Sequence, residues 1–114
     1  MKKMTEGEIK NLLVKAFHDA AMATEEYLAK YPDNWFPCGF AWVVLDGRSP
    51  VTKVLKATYA VPQRGDKGYP KGWHIWNPAG HSTQCMDAKM AGARAFAKVI
   101  TDAGFDCYAD GRMD

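Results

Sequence analysis

Thr83-Gln84-Cys85-Met86-Asp87-Ala88-Lys89-Met90-Ala91-Gly92-Ala93-Arg94-Ala95-Phe96-Ala97-Lys98-Val99-Ile100-Thr101-Asp102-Ala103 is the stretch on which the fold turns. It contains no proline, its only glycine is Gly92, and its residues sort by helical angle. At 100° per residue, Asp87, Arg94, Lys98, Thr101 and Asp102 fall on one polar stripe, while Ala88, Ala91, Gly92, Ala95 and Val99 form a stripe of small residues. The reading predicts a helix over about 83–103, with Gly104 as its C-terminal cap and Phe105 folded back against it. A stripe that flat admits a very close neighbour, the sheet or a twin helix, and predicts a homodimer or larger closed assembly.

Outward from this helix, 105–110 alternates apolar and polar side chains and reads as a final strand over 105–109. Gly72 to Trp76 reads as another strand, ended by Asn77-Pro78-Ala79-Gly80. Cys38 to Leu45, apolar at nearly every position, reads as a strand covered on both faces, with Asp46-Gly47 turning the chain. Ser49-Pro50 resembles a helix start, yet 51–61 is rich in β-branched residues; a short helix is the favoured reading and a strand the alternative. The segment 62–72, with three glycines and two prolines among its basic residues, reads as a long exposed loop. At the N-terminal side, Thr5-Glu6-Gly7-Glu8 fits a capping box. Ile9, Leu12, Leu13, Ala16, Phe17, Ala20, Thr24, Tyr27, Leu28 and Tyr31 follow at helical spacing, up to the break at Pro32-Asp33-Asn34. His18 falls off that stripe, towards solvent. The fold class is therefore α+β: one domain over 1–114, with a long N-terminal helix and an alanine-rich C-terminal helix packed on a small sheet of about three strands.

Composition narrows the classes of function. A chain of 114 residues with 47% hydrophobic content suits one core. No apolar run approaches the roughly 18 residues of a membrane span, and Met1-Lys2-Lys3 leads into a polar helix rather than a signal-peptide apolar region. Cys38, Cys85 and Cys107 are odd in number and lack paired spacing, which points to thiols in a reducing, cytoplasmic setting. The net charge of +2 is unevenly spread. Arg48, Lys53, Lys56, Arg64, Lys67 and Lys71 against Asp66 alone make the middle third +5, leaving −3 elsewhere, so this region could face an anion or serve only to solvate a loop.

Four constellations could carry chemistry. His74, His81 and Cys85, with Cys38 joining through the fold, could hold a metal, but His-x6-His-x3-Cys fits no zinc spacing; no metal and no cofactor is expected. Cys38 with His74 or His81 could form a thiolate–imidazole pair for nucleophilic catalysis, or Cys38 could be a plain core cysteine. Trp35, Trp42, Trp73 and Trp76 could stack on a base, or fill the core. His81-Ser82-Thr83 leads from a strand into a helix start, where unpaired N–H groups attract anions, or where Ser82 or Thr83 simply caps. Lys89 sharpens that reading: it lies amid Cys85, Phe96 and Ile100, and its stem points back towards the helix start, so it must reach water or a counter-charge. The candidate ligand-binding residues are His81, Ser82, Thr83, Lys89, Trp76, Arg64, Lys67 and Lys71.

Pro37-Cys38-Gly39-Phe40-Ala41-Trp42-Val43, Trp76-Asn77-Pro78-Ala79-Gly80, Met86-Asp87-Ala88-Lys89 and Ala91-Gly92-Ala93-Arg94-Ala95-Phe96-Ala97 together resemble uncharacterised small proteins of tailed bacteriophages. The resemblance runs from residue 35 onward, and implies a phage origin and a host-cytoplasm setting. Ala88-Lys89 with Ala91, Ala93 and Ala95 is also similar to the last helix of the double-stranded RNA-binding domain. That likeness would need 51–61 to be a strand, and it lacks the basic cluster at the helix start. The expected function is a non-enzymatic binding protein for an anionic ligand, a nucleotide or nucleic-acid phosphate. The alternatives are a small Cys/His-dependent enzyme or an interaction module acting on a host protein.

Overall fold

The computed structural model describes residues 4–32, 38–58, 63–64 and 72–113, without the side chains of 63 and 64. In chain order the elements are α1 (Glu6–Lys30), β1 (Gly39–Leu45), α2 (Pro50–Thr58), β2 (Gln63–Arg64), β3 (Trp73–Trp76), α3 (Met86–Asp102) and β4 (Cys107–Met113). The strands form one sheet in the order β2-β3-β1-β4, every neighbour antiparallel. This is the expected α+β architecture; the two-residue β2 extends the sheet beyond the three strands read from the sequence.

α1 starts where its capping box places it. The Thr5 side chain accepts from the Glu8 N–H while the Glu8 carboxylate accepts from the Thr5 N–H. Ile9, Leu13, Ala16, Ala20 and Thr24 of the anticipated stripe are buried, His18 is exposed, and the helix ends at Tyr31 before Pro32. α2 resolves the ambiguous stretch as a helix. Pro50 occupies its first position, the Asp46 side chain accepts from the Arg48 N–H, and the Asp46 carbonyl accepts from Thr52 Oγ1 at 2.6 Å. Val51, Thr52, Val54 and Leu55 then turn inward, a helical rather than an alternating pattern, so tertiary burial overrides the β-branched composition. With 50–58 helical and β4 following α3, the helix–strand–strand–strand–helix order required for the RNA-binding likeness is not the order found.

α3 ends as expected and begins later than expected. The Phe105 N–H bonds the Ile100 carbonyl and the Gly104 N–H that of Thr101, a Schellman motif in which Gly104 takes φ +96°. Its first residue is Met86 and its N-cap Cys85, three residues beyond the start read at Thr83. The final strand likewise extends past 109 to Met113.

The flat stripe of α3 is filled by α1. Thr24 Oγ1 donates to the Ala88 carbonyl at 2.8 Å, and a Cβ built on Gly92 would stand 2.6 Å from Thr24 Oγ1 and 3.1 Å from the Ala20 carbonyl oxygen. Only glycine lets the two helices approach this far. The close neighbour is thus within the same chain, which removes the stripe as a reason for a second copy. Phe17 meets Phe96 edge-on at 4.9 Å between the rings.

Strand alternation divides the sheet into two unlike faces. Ala41, Val43, Leu45, Ile75 and Cys107 join Ile9, Leu13, Val51, Leu55, Phe96 and Ile100 in the core. The other face carries Phe40, Trp42 and Val44 of β1, flanked by Trp76 and His74 on β3 and by Arg112, Asp110 and Tyr108 on β4. Trp42, Val44 and His74 are buried outside the main core, consistent with a strand covered on both sides.

Candidate functional site

Lys89, one turn into α3, is only 9% exposed. Its ammonium donates to the Gly39 carbonyl at 2.9 Å and lies 5.4 Å from the centre of the Phe40 ring. That carbonyl is open for a physical reason. The β1–β3 ladder ends where the Asn77 N–H bonds the Ala41 carbonyl, and the chain turns away at Asn77 with φ 47°. Two residues back along β1, the Gly39 N–H is bonded to the Gln84 carbonyl, and among the described residues no backbone N–H donates to the Gly39 carbonyl on that edge. Lys89 fills this gap, yet no carboxylate comes within 4.0 Å of it among the described residues, which pair with one another as Lys15–Asp19, Lys98–Asp102 and His81–Glu25. A carbonyl and a ring face solvate the charge without neutralising it.

Phe40 is the first ring of an aromatic cluster that runs across this face of the sheet. Phe40 and Trp76 meet edge to face at 5.8 Å, Trp76 tilts onto Trp42 at 4.7 Å, and Trp42 stacks with His74 at 6.1 Å. The Arg112 guanidinium stands 5.8 Å from the Phe40 ring. Phe40 and Trp76 are 36% and 39% exposed, so each still offers ring surface to a ligand. Beneath them the buried Trp42 Nε1–H has no hydrogen-bond partner among the described residues, an orphaned donor on the same face as the rings. Lys89 and Trp76 were legible as candidates; Phe40 and Arg112 were not. The signal available for them was the two-residue alternation, which puts Phe40 beside Trp42, while Arg112 lay beyond the boundary drawn for the last strand.

The turn ahead of α3 is spent on itself. Thr83 Oγ1 accepts from the Cys85 N–H, His81 Nδ1 accepts from the Thr83 N–H, and Asn77 Nδ2 donates to the His81 carbonyl. His81 Nε2 lies 3.4 Å from Glu25 Oε1, and Ser82 is exposed. Because the helix begins at Met86, His81, Ser82 and Thr83 do not present its free N–H groups, which corrects the reading of them as an anion cradle. The register also separates Cys38 from His74. His74 faces Val44, six residues along β1 from Cys38 and so roughly 20 Å away along an extended strand, which leaves the pair unable to act together. His81 has both ring nitrogens engaged elsewhere. Among the described residues no three histidine, cysteine or acidic side chains gather as metal ligands. Lys67 and Lys71 lie outside the described residues; Arg64 is placed by its backbone alone, beside Trp73.

Elsewhere, a concavity of about 690 Å³ opens at the far end of β1, lined by Arg48, Lys56, Trp73 and Tyr108 together with Asp46 and Asp106. Lys56 sits 4.4 Å over the Trp73 ring. Its two cations are matched by two carboxylates, so it lacks the unbalanced charge found at Lys89. No helix among the described residues is long and apolar enough to cross a membrane. No protein-family model matches the chain, and no match emerges among curated proteins or solved structures.

Proposed function

We propose that this protein is a non-enzymatic binding protein for an anionic ligand, a nucleotide or nucleic-acid phosphate, held on the sheet face at the start of β1. Lys89 meets the phosphate, Arg112 assists from β4, and Phe40 and Trp76 offer their rings to the base. The basic segment that includes Arg64, Lys67 and Lys71 adds long-range attraction. The setting that fits the phage resemblance is a host cytoplasm.

One observation carries this reading: the ammonium of Lys89, a lysine only 9% exposed, faces no carboxylate among the described residues. Holding such a charge without a counter-ion costs stability, and an incoming phosphate would supply the missing one. The Trp42 N–H, buried without a partner among the described residues, is a donor on the same face that an acceptor-rich ligand would satisfy.

Titration of ATP, AMP, orthophosphate, uncharged adenosine and a single-stranded oligonucleotide, followed by tryptophan fluorescence and thermal shift, tests it. Binding of the charged ligands is expected to raise the melting temperature, with adenosine inert. Lys89→Met should weaken binding by about tenfold or more, the effect of losing one charged hydrogen bond of roughly 1.5–3 kcal/mol. The exposed Arg112→Gln should weaken it less. If no phosphate-bearing ligand binds, or Lys89→Met binds as the wild type does, the proposal fails.

A further inference from the structure

Cys38 and Cys85 face one another across an isolated antiparallel bridge that joins the start of β1 to the N-cap of α3. The backbone bond holding the bridge runs from the Gly39 N–H to the Gln84 carbonyl, at positions flanking the cysteines, while the Cys85 N–H is bonded to Thr83 Oγ1. That is the pattern of a non-hydrogen-bonded pair, in which the Cα atoms stand about 4.5 Å apart with their side chains on the same face. Disulfides span Cα separations of roughly 4.4–6.8 Å, and bridge partners of this kind fall within that range.

We propose that Cys38 and Cys85 form a redox-modifiable dithiol site that closes to an internal disulfide on meeting a low-molecular-weight disulfide such as oxidised glutathione. Exposure sets the order of events: Cys38 is half-buried and Cys85 fully buried, so Cys38 reacts first. The Cys38 thiolate attacks one sulfur of the small disulfide, leaving a mixed disulfide on Cys38 and expelling one glutathione thiolate. The Cys85 thiolate then attacks the Cys38 sulfur and expels the second glutathione. The two cysteine protons end on the two released thiols, and two electrons pass from the pair to the oxidant. Cys107 takes no part: it is at the other end of β1, opposite Leu45, and burial pushes its thiol up to about 12. The new bond would tie the first residue after Gln84 to the strand carrying Gly39, and so fix the frame that holds Lys89, although the pairing itself does not depend on what binds there.

The full-length chain is incubated with oxidised glutathione, quenched in acid, and its thiols are counted after unfolding in denaturant. The count should fall from three to one, the intact mass should lose two hydrogens, and peptide mapping should link Cys38 to Cys85. Cys107→Ala should still close the link. Cys38→Ser, a change at a half-buried position, should abolish it and leave Cys85 unreacted. A glutathione adduct that persists on Cys38 with no internal link overturns the proposal, as does any link involving Cys107, or an unchanged thiol count. Because the readout is a covalent bond, these outcomes are distinct from success or failure of anion binding.

Discussion

Replacing Gly92 by alanine isolates the contact that sets the distance between α1 and α3. In an exposed helix the change would stabilise by about 0.8–1.0 kcal/mol through backbone propensity alone. Here the new methyl would lie 2.6 Å from Thr24 Oγ1, 3.0 Å from Ala79 Cβ and 3.1 Å from the Ala20 carbonyl oxygen. Thr24 is fully buried and its hydroxyl is bound to the Ala88 carbonyl, so it cannot yield without breaking that bond, worth about 1 kcal/mol. Overpacking of a core adds about 1–3 kcal/mol. With the propensity gain subtracted, Gly92→Ala should destabilise by about 1–3 kcal/mol, each kcal/mol lowering the melting temperature by roughly 4–8 °C in a domain of about this size. Chemical denaturation of Gly92→Ala, Thr24→Ala and the double variant measures this directly. The cost of Gly92→Ala should shrink in the Thr24→Ala background, because the nearest obstructing atom is gone. A Gly92→Ala variant as stable as wild type or more so, or costs that simply add, would refute the account of the helix contact.

Two further changes probe the site and the core. Lys89→Met removes a buried charge and leaves the neutral Gly39 carbonyl unreceived; relief of desolvation should offset the lost bond, so thermal unfolding should show a melting temperature equal to or above that of wild type, and a clear fall would contradict this. Cys107, whose thiol is raised from the usual 9.0 to about 12 by burial, holds its proton in the folded state where the unfolded chain releases it. Its contribution to stability is therefore complete below pH 9 and lost as pH climbs towards 12. Urea unfolding at stepped pH should show this decline, and Cys107→Ala should flatten it. Near neutral pH, iodoacetamide should label Cys38 well before Cys107.

Local order along the chain was largely legible because it depends on neighbours a few residues apart. The capping box at Thr5 and Glu8, the stripe from Ile9 to Thr24, the stop at Tyr31-Pro32, the Gly104 cap and the short helix after Ser49-Pro50 are each encoded within a turn or two of sequence. The small-residue stripe on α3 announced a close neighbour without naming it, since a helix surface cannot say which other surface it meets. The misplaced start of α3 has a similar origin: Thr83 does cap an N–H group, but that of Cys85 two residues on, in a turn whose shape also depends on Asn77 and His81.

What only the tertiary structure decided was every relation across the sheet. Residues 39–45 can pair in several registers with the same composition; the one adopted places Phe40 and Trp42 on the face away from the helices, Phe40 opposite Arg112 and His74 opposite Val44. From that single register follow the separation of Cys38 from His74, the aromatic cluster, and the open Gly39 carbonyl that Lys89 fills. The sequence marked Lys89 as a charge out of place. Its partner was fixed 50 residues earlier in the chain, by where a ladder of hydrogen bonds stops, and such a termination is a property of two strands together that neither carries alone.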